Sequence, residues 1–316
     1  MLARMKHPAL IAAALAALAA VPLSAQGEAP YTVVESGQGF ARLQDAINAI
    51  GAGKGTIRFA PGRFTDCGVQ QAGEITFIAA APGKSALDGT VCEDKAALVL
   101  RGRRAHVEGL VFTGMRSSAK NGAGIRVEDG NLSVSQAWFR DSQQGIISAN
   151  DTPDGVITVD KSTFSGIGTC DGGGCAHSIY AGRFGSLTVT RSRFEGGTGG
   201  HYVKARTRTV AILGNSFDDT RGRATNYMID LPEAATGRIA GNWFVQGRDK
   251  ENYSAFIAIG GEEIRNSANG LVIEGNDARF APGVDRSSAF VADFTGHAIQ
   301  IGQNALGAGL KRYEKR

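Results

Sequence analysis

Hydrophobic positions along this chain recur in a nine-residue phrase: a small or polar residue, an apolar one, any residue, a β-branched apolar one, a short polar stretch and usually a final Phe. Eight copies end at Phe112, Phe139, Phe164, Phe194, Phe217, Phe244, Ala278 and Leu306. The fourth position is Val107, Val134, Val159, Val189, Ile212, Ile239, Ile273 and Ile301, β-branched in every copy. Such residues favour strands, and their two-residue offset from the apolar second position puts both on one strand face. Copies 23 to 34 residues apart are too close for domains and match single turns of a solenoid.

Two residues before the end of the phrase stand Ser162, Ser192, Asn215, Asn242, Asn276 and Asn304. They predict a polar ladder bonded from coil to coil, at a corner where Asn tolerates left-handed backbone. The aromatics that follow, Trp138-Phe139 and Trp243-Phe244 among them, are expected to stack inside. The expected fold is all-β, a right-handed parallel β-helix (solenoid), its hand set by the crossover rule. An antiparallel sandwich with evenly spaced strands is the alternative, and it has no in-phase ladder.

Ahead of the first copy, Phe40, Leu43, Ala46, Ile47 and Ile50 recur at helical spacing and Gly51 ends the run. An N-terminal amphipathic helix at about 40–50 is expected to cap the open end of the stack. Residues 1–25 read as a signal peptide: Arg4, Lys6 and His7 lead an apolar run from Ala9 to Val21, and Leu23-Ser24-Ala25 supplies a cleavage site. That run is shorter than a membrane span, and no later stretch reaches 18 apolar residues, so no membrane span is expected. Residues 26–316 then form a single β-helix domain of nine or ten coils with a short basic tail at 311–316, in a monomer exported to the periplasm or secreted.

Net charge is +4 over 316 residues, without the clustered basic excess of a bulk nucleic-acid binder. No nucleic-acid partner is expected. Four cysteines in an exported chain point to disulfides. Cys67 and Cys92 lie one coil apart, and Cys170 and Cys175 bracket a glycine-rich loop; four cysteines allow three pairings. A zinc site built on Cys170, Cys175 and His177 lacks a clear fourth ligand, so no metal is expected. No cofactor is expected either, and a divalent cation is left open.

The opening, LQDAINAI followed by GTIRFAPGRF and asparagine-ladder coils, resembles that of right-handed parallel β-helix proteins of the pectate-lyase-like superfamily. The resemblance covers nearly all of residues 26–316 at the level of fold. It implies little about activity, because this architecture carries lyases, hydrolases, epimerases and noncatalytic surface proteins.

Candidate chemistry sits on the strand opposite the ladder. Aligning coils on their final Phe superposes HSIYAG, HYVKAR and YMIDLP. With Ile179, Val203 and Ile229 inward, Tyr180, Lys204 and Asp230 form one outward column, with Arg206 beyond Lys204. Ser178, Tyr202 and Met228 are expected as a second outward column. His177 and His201 occupy equivalent positions at the strand starts; they read either as a hydrogen-bonded corner ladder or as an acid, a base or sugar contacts, and exposure requires a bend after them. Arg206, Arg208, Arg221, Arg223, Arg248 and Lys250 make the surroundings cationic, although Asp218, Asp219, Asp249 and Glu251 are interleaved.

An acidic, uronate-containing polysaccharide is the expected partner. In β-elimination Lys204 is the expected base, Arg206 or Arg223 the carboxylate clamp, and Tyr180 or His201 the acid. His177, Tyr202 and Tyr227 supply further sugar contacts. This resembles the β-helical lyases of alginate and dermatan, which use a Lys on one coil and an Arg on the next; here the next coil offers Asp230. Hydrolysis, by Asp230 with Asp218 or Asp219, and noncatalytic binding are the alternatives.

Overall fold

A computed structural model describes residues 29–148, 151–171 and 174–316; the expected leader lies outside them. The chain winds into a parallel β-solenoid of about nine turns. Each turn contributes one strand to each of three sheets, of 12, 10 and 10 strands. The first sheet carries the β-branched column: Val107, Val134, Val159, Val189, Ile212, Ile239, Ile273 and Ile301 pair in register from one turn to the next.

The second sheet carries the Phe column. Phe112, Phe139, Phe164, Phe194, Phe217 and Phe244 stack with ring centroids 4.7 to 4.9 Å apart, the spacing of adjacent strands. This close approach leaves no room beside some rings. At Gly124 and Gly145 an added Cβ would lie 2.7 Å from Phe139 and 2.8 Å from Phe164.

Between the first two sheets the predicted ladder forms. Asn242 Oδ1 accepts both the backbone N–H and the side-chain amide of Asn215, while its own amide donates to Ile212 O and Asn276 Oδ1. Ser162 and Ser192 continue the ladder with backbone N–H donors and side-chain acceptors. Asn242→Ala strands several buried donors and acceptors at once, and is expected to cost about 2–4 kcal/mol, read as a lowered urea midpoint.

Two expectations about orientation are corrected here. Trp138 and Trp243 are exposed rather than stacked inside; each directly precedes a buried Phe, and strand alternation sends neighbours to opposite faces. The basic C-terminal stretch keeps its side chains mostly exposed but is not a free tail: Leu310–Lys315 is the last strand of the third sheet, and Tyr313 donates to Asp293.

A single helix among the described residues, Leu43–Ile50, buries Leu43, Ala46 and Ile47 against the first strands of the stack. Two disulfides are present, Cys67–Cys92 and Cys170–Cys175. The first joins neighbouring turns, and the second closes the glycine-rich loop, so neither cysteine of that loop is a metal ligand.

Candidate functional site

The third sheet presents the chemistry. Ile179, Val203, Ile229 and Ile257 are paired and buried, so Tyr180, Lys204, Asp230 and Ala258 form the outer column. The residues before the inward column are Gly124, Gly145, Ser178, Tyr202, Met228 and Phe256. From Ser178 on they are buried as well, which corrects the expected outward column of Ser178, Tyr202 and Met228. Two consecutive inward residues mean that the backbone turns a corner between them. That corner returns the preceding column to the outer side, and it holds Gln144, His177, His201 and Tyr227.

Tyr202 is therefore a core residue, not a sugar platform. Its ring meets Phe194 and Phe217 edge-on at 6.2 and 6.3 Å, and its hydroxyl donates to Asp219 Oδ1 at 2.7 Å. Asp219 also accepts from Thr225 Oγ1 and the Gly247 N–H, and faces Lys250 Nζ at 3.1 Å with both side chains 0% exposed. Burial pushes the Lys250 pKa down and the Tyr202 pKa up. These groups are structural, which removes Lys250 from the surface cations and Asp219 from the candidate hydrolytic acids.

The histidines form a ladder of their own. Gln144 Oε1 accepts the His177 N–H at 3.0 Å, and His177 Nδ1 accepts the His201 N–H at 3.0 Å. Because His177 Nδ1 is an acceptor, the neutral ring carries its proton on Nε2. His201 Nδ1 lies 3.3 Å from that same acceptor and His201 Nε2 lies 3.5 Å from Asp230 Oδ2. Burial, with Lys204 and Arg206 nearby, lowers His177 to about 3. Burial, reinforced by His177 and Lys204, also holds His201 well below its ordinary value. Both imidazoles are neutral at physiological pH.

Lys204 Nζ lies 3.3 Å from Asp230 Oδ2 and donates to Glu262 Oε1 at 2.8 Å. Arg206 spreads its guanidinium over three partners: Nε to Tyr180 Oη at 2.8 Å, Nη1 to Glu233 at 2.8 Å and Nη2 to Glu262 Oε2 at 2.6 Å. Arg183 grips Glu233 with two further bonds. Burial opposes ionisation of Glu233, and the hydrogen bonds from Arg183 and Arg206 outweigh it, so its carboxyl lies below the usual range.

Burial pushes Asp230 up to about 6, against the pull of Lys204. A carboxyl whose pKa rises on folding contributes stability that is full below the unfolded value of about 4 and is lost as pH climbs through about 6. Asp230→Asn removes that dependence. Its stability relative to the parent is expected to rise between pH 4 and 7 by at most about 3 kcal/mol, measured from urea midpoints across that range. A difference that stays flat with pH would show Asp230 ionised throughout.

His177, Tyr180, His201, Lys204 and Arg206 line one cavity of 560 Å³, with Asn226, Glu251, Asp171, Gly174 and Cys175 on its walls. Arg206 is shared with a smaller cleft of 230 Å³ that also holds Arg183, Arg208 and Arg265. Asp230 does not line the cavity; it lies behind Lys204 and His201. Tyr227 packs against His201 with the rings tilted by 40° and centroids 5.7 Å apart, and its hydroxyl accepts from Asn252. Arg223 is exposed on a turn outside the cavity wall. Two more open depressions, of 630 and 650 Å³, follow the asparagine corner and gather no comparable set of titratable groups.

No protein-family model matches this chain. No curated protein matches it either. Among solved structures, ORF18 of Geobacillus virus E2 is similar at a TM-score of 0.41 and 15% identity, covering 86% of this chain. The chain spans 56% of that protein's length. Among the described residues no group of three or more His, Cys, Asp or Glu is placed to hold a metal ion, and no helix is long and apolar enough to cross a membrane.

Glu233 and Glu262 were not candidates from sequence. Glu262 follows the strand Ala255–Ile259 and reaches back two turns to Lys204, 58 residues earlier. The only cue is its place in GGEE (260–263), straight after a strand of the same sheet.

Proposed function

We propose that this chain is an exported, monomeric, right-handed β-helix protein of the pectate-lyase-like kind, capped by the helix Leu43–Ile50, which cleaves an acidic, uronate-containing polysaccharide by β-elimination. The observation that carries the reading is the convergence of a cationic pair, a neutral imidazole and a tyrosine hydroxyl in one cavity. Elimination requires a group that neutralises the uronate carboxylate, a base for the proton beside it and an acid for the departing oxygen.

Lys204 and Arg206 suit the first task, since both already hold carboxylates. Lys204 fits proton abstraction less well, because two carboxylates engage its ammonium. The base role passes to His201, whose ring is unprotonated at neutral pH; its Nε2, 3.5 Å from Asp230 Oδ2, must turn from that carboxyl toward the substrate, and charge neutralisation at the substrate carboxylate offsets its weakened basicity. Tyr180 Oη accepts from Arg206, which leaves its own proton free for the leaving oxygen. Asp230 positions His201 and Lys204 from behind.

Hydrolysis is favoured by one observation. Asp230 and Glu262 touch the same ammonium, so their oxygens are at most about 6 Å apart, within the range of paired glycosidase carboxylates. Asp230 is held protonated to about 6. Against burial, hydrogen bonds from Lys204 and Arg206 keep Glu262 ionised. Neither carboxylate lines the cavity, and for that reason elimination is the preferred reading.

The experiment is incubation of the purified protein with a panel of uronate polymers. Elimination predicts new ultraviolet absorbance from a double bond conjugated to the carboxylate, lost in Tyr180→Phe. New reducing ends without that absorbance would establish hydrolysis. Binding with no product from any polymer would leave a noncatalytic solenoid.

A further inference from the structure

The two carboxylates on Arg206 differ sharply in setting. Glu233 is 1% exposed, is gripped by Arg183 as well, and belongs to the protein interior. Glu262 is 44% exposed at the rim and touches only the outer tips of Lys204 and Arg206, one oxygen on each. A carboxylate held by one donor per oxygen is seated in two-point fashion, as a bound ligand carboxylate would be.

The backbone around Glu262 is anchored independently of its side chain. The Gly260 N–H donates to Leu231 O and the Glu262 N–H to Pro232 O. Gly260 adopts φ +75°, and an added Cβ there would lie 2.4 Å from Thr295, so the turn is tightly defined. The side chain can therefore leave by rotamer change without moving the loop. Its departure would leave Lys204 Nζ still beside Asp230 and Arg206 still bonded to Glu233 and Tyr180.

We propose that the tips of Lys204 and Arg206 form a carboxylate seat for an acidic sugar, and that Glu262 occupies this seat as a resident stand-in which the ligand must displace. The inference rests on the acidic-polysaccharide reading above and adds a competitor within the chain itself. Exchanging one carboxylate for another leaves the local charge balance unchanged, which makes the swap inexpensive. While Glu262 is seated, apparent affinity is reduced by the fraction of time the seat is empty. Glu262 would thus set a threshold: a lone uronate binds weakly, whereas a polymer with further contacts along the sheet displaces it.

The test measures calorimetric binding of a short uronate oligosaccharide, drawn from the polymer that binds the parent best, to the parent, Glu262→Gln and Glu262→Ala. Thermal unfolding confirms that each variant is folded. Both variants are expected to bind at least about ten-fold more tightly, and adding Lys204→Met is expected to cancel the gain. Unchanged or weaker binding by both folded variants overturns the inference, as does the absence of uronate binding to any of the proteins. Its failure is separable from that of the elimination reading. Tighter binding without unsaturated product keeps the seat and removes the reaction; unsaturated product with unchanged affinity keeps the reaction and removes the seat.

Discussion

Lys250→Met is expected to lower the unfolding free energy by about 3–5 kcal/mol, because it leaves the buried Asp219 carboxylate without its counter-charge. Both side chains are fully enclosed. Asp219 would keep its hydrogen bonds from Tyr202, Thr225 and Gly247, but no cation would remain beside it. The matched double variant, Asp219→Leu with Lys250→Met, is expected to recover part of the loss, since no uncompensated charge then remains. Urea midpoints of the two single variants and the double complete the cycle. A Lys250→Met protein within about 1 kcal/mol of the parent would mean that water reaches Asp219. The damage is also expected to reach the cavity, because Lys250 Nζ donates to Asn226 O and Asn226 lines the wall beside His201.

Arg206→Ala is expected to reduce turnover by about 10²–10³-fold, the usual consequence of losing a preorganised donor at the site of developing charge. Arg206→Lys should be nearly as damaging. The guanidinium sends separate N–H groups to Tyr180, Glu233 and Glu262, and an ammonium lacks that planar fork. The fold should survive, because Glu233 retains two bonds from Arg183. Parent-like kcat/KM in a folded Arg206→Lys protein would exclude Arg206 as the carboxylate clamp.

Much of the scaffold was legible because a solenoid repeats its constraints in phase. Each β-branched residue, Asn and Phe of the phrase recurs once per turn, so one strand's alternation predicts its neighbours' and the columns align. The same ruler located Tyr180, Lys204 and Arg206 on one face. It failed at corners. Plain alternation puts Ser178, Tyr202 and Met228 outward, yet the position they share with Gly124, Gly145 and Phe256 is interior, because the backbone turns a corner just before the inward column. Trp138 and Trp243 were grouped with the Phe beside them, against the alternation that sends one of each pair to solvent.

The partners of the site lay beyond the ruler's reach. Glu262 meets Lys204 and Arg206 from a loop two turns away, and Glu233 bridges Arg183 and Arg206 across 50 and 27 residues. Loops escape the repeat, and nothing in their local composition says which way they fold.

By itself, then, the sequence determined the stack: strand period, coil length, the ladder and the inner aromatic column are local patterns multiplied by turns. Tertiary structure alone decided the electrostatics. Whether a lysine is a cavity cation such as Lys204 or an interior strut such as Lys250, and whether a carboxyl's pKa is pushed up as in Asp230, depends on burial and on charges brought close from distant turns.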